Sequence, residues 1–246
     1  MGSNLITIAF IGTSKYKSFF PGFYQAVMDK FCVDHDRKIL VATDAPEDPI
    51  FDKENVIPIK IEHAKWPYVT LHRFKYLLNF SDEICKSDYF FFIDADLWPV
   101  SNITLEEITR PDRDLVGVQH PGFLGKIGTF ETDTRSLANI FDAKYDLTAY
   151  RQGCFWGGKS GPVLDMIRDL NDRIDIDDRQ GITARWHDES HMNKYFVERN
   201  DSILTLHPGF AQPEVGYDEI RARFPTKMIH LKKDDNNFPR FPGSGS

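Results

Sequence analysis

The sequence predicts an α/β fold in which helices flank a mostly parallel, twisted sheet. Three observations predict it. The first half of the chain alternates β-rich apolar runs with stretches whose apolar residues recur at helical spacing. The 246 residues are a usual length for one large α/β unit. Hydrophobic residues make up 41% of the chain and charged residues 27%, which supplies both a sizeable core and a solvated surface.

Five strands are predicted from apolar, β-rich runs that end at a turn. The third is placed at an edge of the sheet, because Pro58 has no amide hydrogen to donate. Ligands of such sheets bind at the carboxyl ends of the strands, so a site is expected near "IGTSKY", "ATDAP" and "IDAD". The predicted strands span residues 5–12, 37–46, 56–62, 88–96 and 114–123.

Helices are predicted where apolar residues recur three and four apart. The first has Pro21 near its start, and carboxylates occupy the first turn of the last. Residues 125–146 favour loop with short helical pieces, and the polar tail from residue 230 is expected to be mobile when nothing is bound. The predicted helices span residues 18–34, 70–87, about 161–174 and 186–199.

Composition excludes several classes of protein. The net charge of −7 argues against nucleic acid as the main partner, because nucleic-acid-binding domains carry a basic patch. Cys32, Cys85 and Cys154 form no paired motif, so neither a disulfide framework nor a cysteine zinc site is expected, and a reducing compartment fits. No apolar run approaches the length of a membrane span. Residues 1–3 and 241–246 resemble sequence added in cloning and are left out of the fold.

Asp94 and Asp96 close the fourth predicted strand, in "YFFFIDADLWPV". Residues two apart in extended chain point the same way, so a turn can bring both carboxylates onto one Mg²⁺ or Mn²⁺ ion. The alternative is that these aspartates only cap the turn that ends the strand. A phosphohydrolase with a DxD nucleophile is disfavoured, because "DADLWP" lacks the DGT-like turn of those enzymes.

"WHDESHMNKY" concentrates ionisable groups at a helix start. His187 and His191 have the spacing of zinc ligands, but Asp188 stands where metalloproteases carry glutamate, which disfavours zinc. Asp188 and Glu189 suit a base, a nucleophile or a cation stabiliser. The alternative is that they only complement the helix dipole.

Two further segments are candidate ligand contacts. In "RQGCFWGG" (151–158) small residues allow close ligand approach and aromatics could stack on a sugar, whereas a tight turn with core aromatics is the alternative. "HPGF" (120–123) places His120 at a strand end, where it could contact a ligand hydroxyl.

These segments, in this order, resemble glycosyltransferase family 6, which includes the histo-blood group A and B transferases, α1,3-galactosyltransferases and their bacterial and phage relatives. The resemblance runs from about residue 6 to 240, and its most specific parts are "HPGF" and "WHDES-x-x-NKY". It implies a GT-A type single domain over 4–240, with a Rossmann-like nucleotide-sugar half (4–123) and an acceptor and catalytic half (124–240) that ends in a C-terminal lid. The short chain is typical of bacterial or phage members.

The resemblance also implies an activity. It is a retaining transfer of a hexose from a UDP-sugar to a hydroxyl of a galactoside-type glycan, with an α1,3 link and Mn²⁺ (or Mg²⁺) as cofactor. The implied acceptor is an oligosaccharide or a glycolipid such as lipopolysaccharide. The implied location is the cytoplasm of a bacterium or of a phage-infected host cell, and the implied state is a monomer or weak dimer.

Matching by position carries the family's functional residues onto this chain. Asp94 and Asp96 match the metal ligands, Asp188 and Glu189 the catalytic residues, and His120, Trp186 and Glu189 the acceptor contacts. The implied nucleotide and sugar-donor contacts are Ile11, Gly12, Thr13, Tyr16, Val69, Thr70, Arg73, Asp94, Ala95, Gln152, Gly153, Cys154, His187, Asp188, Lys232, Lys233 and Arg240.

Four features of the chain differ from patterns that are common in parts of the family. Many bacterial members carry asparagine at both aspartates and work without metal, so Asp94 and Asp96 predict metal dependence. Cys154 stands where glycine accompanies N-acetylgalactosamine transfer and alanine accompanies galactose transfer; being larger than both, it predicts UDP-galactose or UDP-glucose. Gln152 differs from the usual residues and leaves the C4 epimer open. No tryptophan follows Trp186, so the acceptor platform is expected to differ from the vertebrate one.

Three other functions remain as alternatives. A retaining GT-A transferase of another family, or one that uses UDP-GalNAc, would share the fold and the DxD motif. A UDP-sugar-binding protein would have lost transfer and kept binding or donor hydrolysis alone. A DxD phosphohydrolase would release inorganic phosphate instead of UDP.

Overall fold

The computed structural model describes residues 2–140 and 144–233. Its main sheet has seven strands in the order β3-β2-β1-β4-β7-β6-β8, and three short strands form a second sheet in the order β5-β10-β9. The strands are β1 Leu5–Ile11, β2 Asp36–Thr43, β3 Val56–Lys60, β4 Tyr89–Ile93, β5 Leu97–Pro99, β6 Leu115–Gln119, β7 Arg151–Lys159, β8 Ile203–Leu206, β9 Gln212–Pro213 and β10 Met228–His230.

Helices cover both faces of the main sheet. They are α1 Phe20–Lys30, α2 Tyr68–Leu71, α3 Arg73–Leu78, α4 Ser81–Cys85, α5 Leu105–Ile108, α6 Ser160–Arg179, α7 His187–Glu198 and α8 Asp218–Arg223. Short 3-10 helices lie at Ser14–Phe19, Pro49–Phe51, Pro121–Phe123, Asn200–Ser202 and Pro208–Ala211.

Alternating residues of the central strands divide the core between the two faces. In β1, Ile8 and Phe10 pack on the face covered by α1, while Ala9 packs with α3, α4, α6 and α7 on the other face. This is the side-chain period of two that a strand buried on both faces requires. The core therefore consists of two apolar layers, one on each side of the sheet.

Four of the six strand pairings in the main sheet are parallel, and only β7 runs antiparallel to its neighbours β4 and β6. The predicted fold class is confirmed, in the arrangement expected of a GT-A type fold. β3 lies at an edge, as Pro58 predicted. None of the described helices is both long and apolar enough to cross a membrane.

Three predicted elements differ from the structure. Residues 70–87 form three short helices instead of one, because the backbone leaves the helical region at His72 and again at Phe80. "RQGCFWGGK" forms strand β7, which is buried from Arg151 to Gly158, so the tight turn considered as an alternative there does not form. The described residues of 125–146 contain turns and no helix. The predicted tail is described only as far as residue 233, and its first residue, His230, belongs to strand β10 instead of a mobile segment.

Candidate active site

The carboxylate pair of the DxD motif lies where β4 leaves the sheet. The amide of Asp94 donates to the carbonyl of Cys154 in β7 at 2.9 Å, and the amide of Leu97 donates back to the carbonyl of Asp94 at 2.9 Å. This tight turn buries Asp96, whose side chain is 4% exposed, and leaves that of Asp94 28% exposed. One carboxylate is thus held by the protein interior while the other faces the cavity.

His230 joins this pair from the far end of the chain. Strand β10 pairs antiparallel with β5 so that His230 lies opposite Leu97, and the amide of Leu231 donates to the carbonyl of Asp96 at 2.8 Å. The imidazole Nε2 then lies 3.1 Å from Asp96 Oδ1. One ligand atom from each of Asp94, Asp96 and His230 lies within 4.8 Å of the others.

Opposing effects act on the two carboxylates. Burial tends to raise the pKa of Asp96, but the hydrogen bond and charge of His230 and the ammonium of Lys233 outweigh it and lower this pKa to about 2. Burial raises the pKa of Asp94, with the charge of Asp96 adding to the rise and Arg73 opposing it. Asp96 is therefore the firmly ionised member of the pair.

The donor set fits a divalent cation. Two carboxylates and an imidazole are ligands that Mn²⁺ accepts. Asp96 Oδ2 is buried and receives no well-aligned hydrogen bond, although the Lys233 ammonium lies 2.9 Å from it. A buried carboxylate oxygen that already faces an ammonium lies in a place that favours positive charge. Asp94, Asp96 and His230 are accordingly the residues that could hold a metal.

Arg73 links the DxD pair to the carboxylates of α7. It lies at the start of α3, and its guanidinium Nε is 2.8 Å from Asp188 Oδ2, while Nη1 is 3.6 Å from Asp94 Oδ1. Nη1 also donates to the carbonyl of Gly153 at 2.6 Å. Although Arg73 is only 5% exposed, these acids keep it charged and raise its pKa. The two acidic pairs therefore share one buried cation.

Helix α7 is fixed to β7 so that its first turn faces the cavity. Asn193 accepts a hydrogen bond from the amide of Arg151 at 2.8 Å and donates to the carbonyl of the same residue at 2.7 Å. His187 begins the helix with φ +52°, a left-handed conformation that is uncommon outside glycine and clusters at functional sites. The pair of bonds and the sharp entry together orient Asp188 and Glu189.

Both oxygens of Glu189 receive hydrogen bonds. The Tyr150 hydroxyl donates to Oε1 and the Gly153 amide to Oε2, each at 2.8 Å. Desolvation of this half-buried carboxyl raises its pKa, and the two donors oppose the rise. Gly153 lies directly beside both carboxylates, since a Cβ there would be at ordinary contact distance, 3.5 Å from Glu189 Oε2 and 3.7 Å from Asp188 Oδ2.

Asp188 is more deeply buried than its neighbour, at 3% exposure. Burial raises its pKa to about 7, despite the Arg73 guanidinium that contacts it. The two adjacent carboxyls therefore differ: one is held by neutral donors beside the cavity and the other by an arginine in the interior. Environments that separate two carboxyls in this way are typical of acid–base and nucleophilic sites.

Two adjoining cavities meet at Arg73. One, of about 470 Å³, extends from the end of β1 to the DxD motif, and the other, of about 390 Å³, lies between α7 and the loop after β6. Trp66, Thr70, Arg73 and Asp94 line both. Such a pair of cavities can hold two ligands that meet between the DxD motif and Glu189.

Most residues that the sequence singled out lie at these cavities. In the first cavity lie Ile11, Thr13, Tyr16, Val69, Thr70, Arg73, Asp94, Ala95, Asp96 and Lys233. Those in the second are Thr70, Arg73, Asp94, His120, Gln152, Gly153, Cys154, Trp186, His187, Asp188 and Glu189.

Two of the singled-out residues that the structure describes, Gly12 and Lys232, line neither cavity. Gly12 packs against its own strand, where a Cβ would lie 2.4 Å from the Phe10 ring. The amide of Lys232 donates to Glu214 at 2.6 Å, at the margin of the second sheet. Arg240 lies outside the described residues.

The zinc pair considered for α7 does not form. His191 is 1% exposed and lies 3.5 Å from Asp177, behind the helix, whereas His187 lines the second cavity. Among the described residues, the one cluster of potential metal ligands is the group of Asp94, Asp96 and His230.

Sequence reasoning missed several residues of the site. Tyr150 directly precedes the small-residue segment, and its position is a signal that could have been used. His63, which hydrogen-bonds Thr13 at 2.9 Å, and His230 carry no local signal, because their partners are distant in sequence. Trp66 lies within the motif "WPYVTLHR", lines both cavities and stacks edge-on with His187 at 5.0 Å.

Comparison with known proteins identifies relatives over most of the chain. Residues 4–233 match the family model described as Glycosyltransferase family 6. The chain is 33% identical over 202 residues to the O-antigen biosynthesis glycosyltransferase WbnI of Escherichia coli, covering 82% of this chain and 86% of that protein.

Two mammalian proteins are more distant relatives. Histo-blood group ABO system transferase 2 of Rattus norvegicus is 26% identical over 237 residues, which cover 92% of this chain and 67% of the rat protein. The human globoside alpha-1,3-N-acetylgalactosaminyltransferase 1 is 24% identical over 246 residues, which cover 94% of this chain and 67% of the human protein.

Proposed function

Because the chain belongs to glycosyltransferase family 6, we propose that it is a retaining hexosyltransferase that moves galactose or glucose from a UDP-sugar to a galactoside hydroxyl, forming an α1,3 link. One observation carries the proposal. Arg73 contacts both Asp94 of the DxD motif and Asp188 of the catalytic pair, at the junction of two cavities. A nucleotide held at Asp94 and Asp96 would present its sugar to Asp188 and Glu189.

The first cavity suits the nucleotide. Thr13 and Tyr16 follow the end of β1, at the carboxyl edge where α/β sheets bind nucleotides. Val69 and Thr70 line the opposite side, beside Trp66. Lys233 places an ammonium by the DxD motif, where it would neutralise part of a diphosphate. These contacts support UDP as the nucleotide carrier of the sugar.

The DxD motif would hold Mn²⁺ or Mg²⁺ through Asp94 and Asp96. When bound, the cation supplies positive charge for the leaving diphosphate. Asp96, with its lowered pKa, stays ionised and keeps the site anionic across the neutral range. Asp94, which is the more exposed of the two, faces both cavities.

Glu189 is proposed to act at the anomeric carbon, as nucleophile or as stabiliser of an oxocarbenium-like state. Tyr150 and the Gly153 amide hold its carboxylate in place, so the group loses little orientational freedom when the sugar arrives. Asp188 is proposed to hydrogen-bond the transferred sugar while Arg73 fixes its orientation. Both inferences rest on the family resemblance as well as on these contacts.

The identity of the transferred sugar is proposed from Cys154. This residue is 4% exposed and lines the second cavity, close to the catalytic pair. Burial raises the pKa of its thiol well above the ordinary value, so it acts as a neutral, space-filling side chain. An acetamido group would compete for that space, which supports an unacetylated hexose.

The acceptor is proposed to be a galactoside within an oligosaccharide or a lipopolysaccharide-type glycolipid. His120 lines the second cavity, and burial lowers its pKa, so a neutral imidazole would meet an acceptor hydroxyl. Trp186, 46% exposed at the same cavity, offers a flat apolar surface for a sugar face. The name of the Escherichia coli relative, which refers to O-antigen biosynthesis, supports a bacterial surface glycan as the acceptor. A cytoplasmic location is proposed with it.

A panel of UDP-sugars with and without Mn²⁺, read as UDP release, tests the proposal. Release from UDP-galactose or UDP-glucose that increases with a galactoside acceptor is the expected result. UDP release that no acceptor stimulates would favour a donor hydrolase or binding protein, and release of inorganic phosphate would favour a phosphohydrolase. Preferred release from UDP-GalNAc would overturn the proposed sugar.

A further inference from the structure

The C-terminal strand places an imidazole at the carboxylate pair. Registered pairing of β10 with β5, which directly follows the DxD turn, sets His230 opposite Leu97. The backbone bond from the Leu231 amide to the Asp96 carbonyl holds this register at 2.8 Å. The position of His230 therefore follows from main-chain pairing and does not depend on a flexible side chain reaching for the site.

The imidazole has the access and the geometry of a ligand. The side chains of Asp94 and His230 are each 28% exposed, so a cation can reach them from the cavities, and Asp96 lies beneath them at 4%. The three ligand atoms lie within 4.8 Å of one another. His230 itself lines the second cavity together with Asp94.

We propose that His230 is a third protein ligand of the divalent cation, and that this ligand set binds Mn²⁺ before any nucleotide arrives. A site with two carboxylates alone relies on substrate phosphates and water for its remaining ligands. A nitrogen ligand also favours a transition-metal ion such as Mn²⁺ over Mg²⁺, since Mg²⁺ is a hard cation that binds oxygen ligands and retains its water. The inference rests on the cation of the proposed function, and it does not depend on which sugar is transferred.

The simpler role for His230 is a hydrogen bond to Asp96 that never involves a metal. The two roles differ in what they predict for the protein without nucleotide. A ligand contributes directly to Mn²⁺ affinity and leaves a nitrogen nucleus bonded to the metal. A hydrogen-bond partner leaves no such nucleus, and an amide of similar reach can replace it.

Electron paramagnetic resonance on the full chain, with Mn²⁺ as the probe and no UDP, separates these roles. Loss of the six-line signal of free Mn²⁺ measures binding, and spin-echo modulation from ¹⁴N reports a coordinated imidazole. We expect the wild-type protein to bind Mn²⁺ and to show ¹⁴N modulation. We expect His230→Ala and His230→Gln each to lose the modulation and at least about tenfold in affinity, the range seen when residues supporting a metal site are removed.

His35→Ala is the matched control, because His35 lies near a separate cavity beside Cys32 and not near the DxD motif. It should retain both affinity and modulation. His230→Gln keeps the side-chain size and a hydrogen-bonding group, so it replaces His230→Ala as the test variant if His230→Ala fails to fold. The ¹⁴N modulation of the wild-type protein tests the ligand without any variant. The inference is overturned if wild type binds no Mn²⁺ without UDP, if it binds without ¹⁴N modulation, or if His230→Gln retains wild-type affinity.

UDP release measured on the same samples keeps this inference separate from the proposed function. His230-dependent Mn²⁺ binding without turnover of any UDP-sugar would support the ligand and contradict the transferase activity. Turnover of a UDP-sugar by a protein whose Mn²⁺ affinity does not depend on His230 would support the transferase activity and contradict the ligand.

Discussion

The hydroxyl of Tyr150 donates a hydrogen bond to Glu189 Oε1 at 2.8 Å and so joins the loop before β7 to the first turn of α7. The ring that carries this hydroxyl is 1% exposed and packs edge-on against Phe123 and Phe130 at 4.9 and 5.0 Å. Gly128 lies against it, where a Cβ would come within 2.3 Å of the ring. Gly128 thus leaves space for the Tyr150 ring, and the two phenylalanines fix its orientation.

Tyr150→Phe should therefore lower turnover without disturbing the fold. The variant keeps the ring and removes one hydrogen bond to a charged group, which is worth about 1.5–3 kcal/mol. We expect kcat to fall about 10- to 100-fold with little change in the KM for the UDP-sugar. The acidic limb of the pH profile should also move to higher pH. Burial raises the pKa of Glu189, and the Tyr150 hydrogen bond is one of the interactions that lower it, so its loss lets the pKa rise further.

Tyr24→Phe is the matched control for that experiment. Its hydroxyl donates to Asn55 at 3.0 Å, away from both cavities, so kinetics and pH profile should stay at wild-type values. Equal kinetics for Tyr150→Phe and wild type would show that the hydroxyl has no role in positioning Glu189.

Asp188 should make stability depend on pH. Its pKa of about 7 in the folded protein exceeds the ordinary value of 3.8, so the folded state binds the extra proton between those limits. The contribution of Asp188 to the free energy of unfolding is complete below about pH 4 and is lost as pH rises through about 7. Over this window the free energy of unfolding falls by up to about 1.4 kcal/mol per pH unit. Relative to wild type, Asp188→Asn should gain free energy of unfolding as pH rises over this window. Urea denaturation from pH 5 to 8 measures the difference, and parallel curves for the two proteins would contradict it.

Turnover should depend on a divalent cation held by Asp94 and Asp96. EDTA should reduce turnover at least about 100-fold, since a bound cation supplies several kcal/mol at the leaving group, and Mn²⁺ should restore it. Asp94→Asn should lose activity that Mn²⁺ does not restore. Asp114→Asn, which removes only a surface pair with Lys159, should behave as wild type. Undiminished turnover in EDTA would place this protein with the metal-independent members of its family.

The choice of sugar should follow the side chain at position 154. Cys154→Gly removes a buried side chain at the second cavity and should raise turnover of UDP-GalNAc relative to UDP-galactose by about tenfold or more, the range for small volume changes in a pocket. Cys85→Ala, at an exposed cysteine, is the control. A wild-type protein that already prefers UDP-GalNAc would refute the volume argument.

The alternation of strands and helices in the first half was predictable because each strand there ends at a polar turn. Strand β7 was not, since it is buried on both faces and shows no alternation of apolar and polar residues. Its glycines suggested a turn. In the structure they allow close approach: a Cβ on Gly157 would lie 2.2 Å from the carbonyl of Phe90, and Gly158 has φ +138°.

The candidate site likewise contains residues that the sequence could predict and residues that it could not. Asp94, Asp96, Asp188 and Glu189 belong to short motifs that can be read locally. The contact between His230 and Asp96 spans 134 residues and follows from the pairing of β10 with β5. Strands of three residues carry too little periodicity to predict such a pairing. Arg73 could be assigned to the site by resemblance, but its bridging position emerges only from the packing of α3 against β7.

The most direct test of the account is UDP release by Glu189→Gln beside wild type, with Mn²⁺, UDP-galactose or UDP-glucose, and a galactoside acceptor. The substitution preserves the side-chain volume and removes the charge that Tyr150 and the Gly153 amide hold in place. We expect UDP release by wild type and a loss of several orders of magnitude in the variant, with Mn²⁺ binding unchanged. Comparable release by both proteins would contradict the role of Glu189, and no release by wild type from any UDP-sugar would contradict the proposed function.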